Sequence, residues 1–282
     1  MNADVLISAQ ALAERIADAN VLVVDCRFDL ADAGKGERGY ANAHVPGAVY
    51  AHLDRDLSDF SLPNAGRHPL PADAAFSAAL SRWGWTAEHE VIAYDDANGA
   101  LAAARLWWLL RLAGHARARV LDGGLAAWRA GGFSLANGPI TRASAQAHVV
   151  LDRAQVVWTN ELERRREDGA TLLLDARAAP RYRGEVEPID AVAGHVPGAA
   201  NRPFSQNLDA EGRFKDAPVL RAEFDALLAG RKASDVVHMC GSGVTACHNL
   251  LAMEHAGLAG SRVFAPSWSG WIADRSRAVA TG

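Results

Sequence analysis

Residues 240–245 read CGSGVT and set a single thiol in a glycine-bearing turn, after the apolar run DVVHM (235–239) and before a helical pattern that begins near Thr245. Gly241 and Gly243 let the backbone curl so that successive N–H groups turn inward. The result is a nest for an anion, reinforced by the positive end of the following helix. Such a ring favours thiolate over thiol, and the thiolate is the nucleophilic form. A structural cysteine is the plain alternative, because free cysteine often packs as a small buried hydrophobe. Two glycines at a strand-to-helix junction weigh against it, since they cost order that packing alone does not require. Cys240 is therefore the candidate nucleophile, and Gly241, Ser242, Gly243, Val244 and Thr245 are the candidate loop around the reacting anion.

The elements that position this loop occur twice. VLVVDCR (21–27), HVPGA (44–48), VIAYDD (91–96) and VLDGGLAAW (120–128) are followed in the same order by TLLLDAR (171–177), HVPGA (195–199), DVVHMC (235–240) and VFAPSWSGW (263–271). Trp128 and Trp271 lie 143 residues apart, and the same offset places Ala97 opposite Cys240. Four ordered blocks indicate a duplicated unit. The Gly-, Pro- and Ser-bearing stretch ANGPITRASAQAH (136–148) breaks both periodicities and marks the join. The expected division is an inactive domain over 1–140, a linker over 141–155 and a catalytic domain over 156–282. Short Val/Leu/Ile runs without in/out alternation suit strands buried on both faces. Between them come helical patterns such as LAAARLWWLLRLAG (101–114) and VTACHNLLAMEHAG (244–257). The fold class is α/β, with two tandem domains, each a small, mainly parallel sheet with helices on both faces. In such sheets ligands bind beyond the carboxyl ends of strands, where Cys240 stands.

Composition narrows the partners. With 282 residues the chain is long enough for two cores, and a net charge of −4 gives no basic field for nucleic acid or an anionic membrane. No window reaches the ~18 apolar residues of a membrane span, and the amino terminus lacks a basic start before an apolar stretch. Three cysteines, Cys26, Cys240 and Cys247, argue against a disulfide framework and for a reducing compartment, so a cytoplasmic location is expected. The ten histidines show no metal-ligand spacing, and no metal is expected. Cys247 and Cys26 read as core, Trp107 and Trp108 as core or domain interface, and ERRRED (163–168) as a solvated helix face.

DAR (175–177), RYRG (181–184), GHVPGAANRPF (194–204), CGSGVTAC (240–247) and DGGLAAW (122–128) together resemble the tandem-domain sulfurtransferases of the rhodanese family along essentially the whole chain. The resemblance implies that Cys240 takes a sulfane sulfur from a small-molecule donor and carries it as a persulfide. The acceptor would be cyanide or a thiol, such as a small thiol or thioredoxin, with no cofactor. It further implies that the first domain, lacking a thiol, walls the cleft. The related thiolate phosphatases need Cys-x5-Arg, and the sixth residue after Cys240 is Ala246.

Within the family, Gly-Ser-Gly after the cysteine goes with 3-mercaptopyruvate, whereas basic residues there go with thiosulfate. By the same resemblance Ser242, His68 and Asp56 would form a proton relay to the leaving enolate, with Asp56 fixing the tautomer of His68. The plainer reading has His68 capping a loop beside Pro69 and Asp56 solvated. Arg181 matches the family's substrate-anion arginine, while Arg177 reads as an ion pair near the strand end. The duplicated His44 and His195 read as structural. Mercaptopyruvate enzymes also show a second arginine between RxRG and GHxPG, and EVEPIDAVAGH (185–195) has none. Ala265–Pro266 stands where the family carries a glycine before Ser-Trp. Thiosulfate thus stays open as the donor, as does a sulfur-binding module without turnover.

Overall fold

The computed structural model describes residues 4–167, 169 and 171–282. It divides into two compact units. The first is the chain up to Asp59 with Leu70–Asp152 and Glu211–Arg213; the second is Phe60–Pro69, Arg153–Ala210 and the chain from Phe214 on.

Each unit holds a five-stranded sheet. In the first, β1 (Leu6–Ile7), β2 (Val21–Asp25), β3 (Val49–Tyr50), β4 (Glu90–Tyr94) and β5 (Ala118–Leu121) lie in the order β1-β5-β4-β2-β3. In the second, β6 (Val156–Val157), β7 (Leu172–Asp175), β8 (Ala200–Asn201), β9 (Val236–Met239) and β10 (Arg262–Phe264) lie in the corresponding order β6-β10-β9-β7-β8. The strand pairs are parallel. Parallel strands need crossovers, supplied by helices such as Ala102–Leu112 and Ala246–His255. Every residue of β2 and β9 is buried, which is why these runs carry mostly apolar residues on both faces rather than alternating, with Asp25 and His238 as buried polar members. Trp128 in the first core, and Trp268 and Trp271 in the second, are almost fully buried; large side chains of this kind stabilise by roughly 2–3 kcal/mol each. Trp107 and Trp108 are buried on helix Ala102–Leu112.

The register of the two sheets corrects one expectation. Asp25 pairs with Tyr94 in the first sheet as Asp175 pairs with Met239 in the second. The N–H of Cys26 donates to Tyr94 O as that of Ala176 does to Met239 O. The residue after each strand is Asp95 in one unit and Cys240 in the other, so Asp95, not Ala97, stands in the cysteine's place. From Asp95 to Gly124 is 29 residues and from Cys240 to Ser267 is 27, so an offset measured at the tryptophans slips by two across this insertion.

Other matched positions are structural. The rings of His44 and His195 stack on Tyr40 and Tyr182, and each Nδ1 lies 2.8 Å from that tyrosine's carbonyl oxygen. Residues 145–152 run along helix Asp73–Arg82, held through both groups of Ser81 and through Ser77 and Asp73. Helix Thr159–Glu167 carries most of ERRRED, of which Asp168 lies outside the described residues. That face is less solvated than expected: Arg166 donates to Pro197 O and lies over Trp271.

Candidate active site

Cys240 follows β9 directly and is 1% exposed. The N–H of Gly243 points at its sulfur, at 3.2 Å, from a backbone with φ +79° that glycine adopts without strain. A second strand-to-helix turn clamps the loop from below. Trp268 N donates to Cys240 O at 3.0 Å and Ser269 N to Gly241 O at 2.9 Å. The hydroxyl of Ser267 accepts from Cys240 N at 3.2 Å and donates to Phe264 O at 3.0 Å. Ser267 holds φ +52°, a conformation that costs a non-glycine residue about 1 kcal/mol or more. This is the turn of the Ala265–Pro266 departure, so the departure falls on the residues that hold the cysteine loop. Nothing in the local sequence singled out Ser267.

The first unit shows what such a loop does with a carboxylate. The Asp95 carboxylate accepts from the N–H groups of Ala97 (2.9 Å), Gly99 (2.8 Å), Leu101 (3.1 Å) and Ala103 (3.2 Å). Burial pushes its acid constant up to about 6, against the N–H groups of Ala97, Ala103 and Gly99, which favour the charged form. Leu125 N caps Asp95 O at 3.0 Å as Trp268 N caps Cys240 O. Gly124, at φ +56°, matches Ser267, and a Cβ there would lie 2.4 Å from Asp95 O. One place before the two stacked tyrosines stand Gly39 and Arg181, so the first loop lacks both thiol and cation.

In the second unit, Ser242 Oγ lies 2.8 Å from His68 Nδ1, both groups buried. His68 arrives on the segment 60–69, whose seating is specific. A Cβ on Gly66 would lie 2.5 Å from Pro266 O, and Arg67 N donates to Ser269 Oγ at 2.9 Å. Arg181 reaches Glu187 at 2.7 Å and Asp190 at 3.2 Å. Burial raises the acid constant of Glu187, but the bond from Arg181 and the N–H groups of Asp190 and Ile189 outweigh it and hold it below the usual range. A Cβ on Gly241 would lie 3.7 and 3.8 Å from the two terminal nitrogens of Arg181, placing that cation over the residue next to the thiol.

The structure thus gathers Cys240, Gly241, Ser242, Gly243, His68 and Arg181, with Val244 and Thr245 leading into helix Ala246–His255. Asp56 is placed differently. In the first unit its Oδ2 accepts from His52 N at 2.8 Å and its other oxygen pairs with Arg82. Arg177 is bound to Asp175 at 2.7 Å and lies over Trp268. Cys247 is buried, its thiol directed at Gly243 O. Arg67 is a residue the sequence reading missed, although it directly precedes His68. Among the described residues no group of three or more His, Cys, Asp or Glu side chains is gathered as a metal would need.

Known proteins resemble the chain along its length. The model of the rhodanese-like domain matches residues 8–131 and again 159–274. A Pseudomonas aeruginosa protein named "Probable 3-mercaptopyruvate sulfurtransferase" is 46% identical over all of both chains. A Mycobacterium tuberculosis protein with the provisional name thiosulfate sulfurtransferase SseB is 39% identical over 99% of this chain and 97% of its own. The structure of the 3-mercaptopyruvate sulfurtransferase from Leishmania major superposes with a TM-score of 0.84 at 30% identity, over 95% of this chain and 74% of that one.

Proposed function

The chain belongs to the rhodanese family as a two-domain sulfurtransferase, and from that premise we propose that it moves sulfur from 3-mercaptopyruvate through a persulfide on Cys240 to a thiol or cyanide. The thiolate of Cys240 attacks the donor's sulfur, forming an S–S bond. The C–S bond breaks, and its electron pair stays on carbon as the enolate of pyruvate. Ser242, with His68 behind it, is the group suited to pass a proton to that enolate. The acceptor's thiolate or cyanide then attacks the outer sulfur and returns Cys240 as thiolate. The observation that carries the reading is a thiol closing a buried parallel strand with a loop N–H aimed at its sulfur, in a chain whose matched loop encloses a carboxylate.

Charge favours the donor. Arg181 and Arg67 are offset by Glu187 and Asp190, so the site suits a monoanionic carboxylate better than the thiosulfate dianion. The Mycobacterium tuberculosis relative keeps thiosulfate as the second reading. Three free cysteines suit the cytoplasm and a small-thiol or thioredoxin-like acceptor.

The test is the catalytic efficiency with each donor, for the protein and for Cys240→Ser. 3-Mercaptopyruvate is expected to be the better donor. Cys240→Ser should lose transfer from both while keeping its fold, and the unmodified protein should gain ~32 Da at Cys240 on donor treatment, the mass of one sulfur. A large thiosulfate preference would overturn the donor, and turnover in Cys240→Ser would overturn the persulfide route.

A further inference from the structure

Arg67 is not placed like a surface arginine. Its backbone is fixed to Ser269, and the preceding glycine lies against Pro266. Its side chain is about three-quarters buried, and Nη1 meets Asp190 at 2.5 Å. Asp190, whose side chain is 4% exposed, bonds Arg67 through one oxygen and Arg181 through the other. A Cβ on Gly241 would lie 3.1 Å from Arg67 Nη2, closer than either nitrogen of Arg181. Nε of Arg67 is buried and has no partner among the described residues. Two guanidinium groups therefore overhang the residue next to the thiol, tied together by one carboxylate, and one of them keeps an unspent donor.

We infer that Arg67 is the second donor-binding arginine of this site, the group that the segment Glu185–His195 lacks. It rests on the 3-mercaptopyruvate reading above. Arg181 and Arg67 hold the carboxylate and neighbouring carbonyl of the donor between them, leaving its thiol facing Cys240. Asp190 sets the spacing of the two cations and keeps Arg67 in place before the donor arrives. A pair of converging forks orients a planar 2-oxo acid in a way a single arginine cannot. This also accounts for the glycine at 241, since a side chain there would enter the space beneath both.

The test is steady-state kinetics with 3-mercaptopyruvate and cyanide for Arg67→Gln and Arg67→Lys, with inhibition by the product pyruvate as a second readout. Loss of one charge-assisted bond pair should raise the KM for 3-mercaptopyruvate and the inhibition constant of pyruvate together, by roughly 10- to 100-fold. The KM for cyanide should stay unchanged, and Arg67→Lys should recover part of the loss. An unchanged KM and pyruvate constant in a folded Arg67→Gln would overturn the assignment, as would a fall in kcat alone or equal failure of Arg67→Lys and Arg67→Gln. If Arg67→Gln does not fold, the pyruvate constant of Arg67→Lys decides. Turnover by Cys240→Ser would instead sink the underlying persulfide reading, so the two failures are separable.

Discussion

The carboxylate of Asp95 makes the anion nest measurable without any substrate. Its acid constant stands at about 6 in the folded chain, against an ordinary 3.8. The folded state thus holds a proton that the unfolded state has released between those values. Stability from this group is fully present below pH ~4 and is lost as pH rises through 6. A difference of about two units corresponds to about 3 kcal/mol, of which about 2 kcal/mol should be recovered between pH 7.5 and 4.5. The perturbation is Asp95→Asn, which cannot titrate. Amide hydrogen exchange in peptides covering Val21–Asp25 and Glu90–Tyr94 reports opening of the first unit, and comparing variant with parent at each pH cancels the intrinsic exchange rate. The parent should gain protection relative to Asp95→Asn as pH falls, on top of a constant cost to the variant from setting an amide NH2 among N–H donors. Parallel profiles from pH 7.5 to 4.5 would refute the reasoning.

Two further outcomes follow from the second unit. Ser242→Ala should lower kcat with 3-mercaptopyruvate by at least ~10-fold through loss of the relay. It should cost thiosulfate turnover much less, since no enolate leaves there; equal losses with the two donors would exclude the relay. Ser267→Ala removes both hydroxyl bonds at Cys240 and Phe264 while keeping a side chain at φ +52°. Ser267→Gly loses the same bonds but relieves the backbone, so it should unfold at lower urea than the parent yet remain about 1 kcal/mol more stable than Ser267→Ala.

What the sequence made legible was local and repeated. Strand runs such as VLVV and LLL are apolar at successive positions because both faces are covered, and that pattern points to parallel layers. The Cys240 loop was legible because a glycine pair at a strand end signals a tight turn, and Gly243 there holds φ +79° with its N–H at the sulfur. Contacts between distant segments were not. Arg67 reaches Gly241 across more than 170 positions, and its signal, one arginine in GRHPLP, resembles any solvated cation until the segment is seated. Ser267 was hidden by a positive φ on a residue that is not glycine, a state no composition rule assigns. Asp95 was missed because an offset counted between tryptophans does not register a two-residue insertion.

The paired loops show one backbone plan carrying a thiol in one half and a carboxylate in the other. Both end a buried strand, and both are capped by an N–H from the next strand-to-helix turn. The first answers the loop's demand for negative charge with a carboxylate fixed by four N–H groups. Such a group is poorly placed to attack anything, because its lone pairs are already spent. The second answers with a thiol at whose sulfur, among the described residues, the N–H of Gly243 lies close, which in the proposed reaction leaves an outward lobe for the donor. In the proposed persulfide route, reactivity at Cys240 depends on under-coordination as much as on the nest. Filling the remaining directions around the sulfur with donors would stabilise the thiolate further and slow its attack.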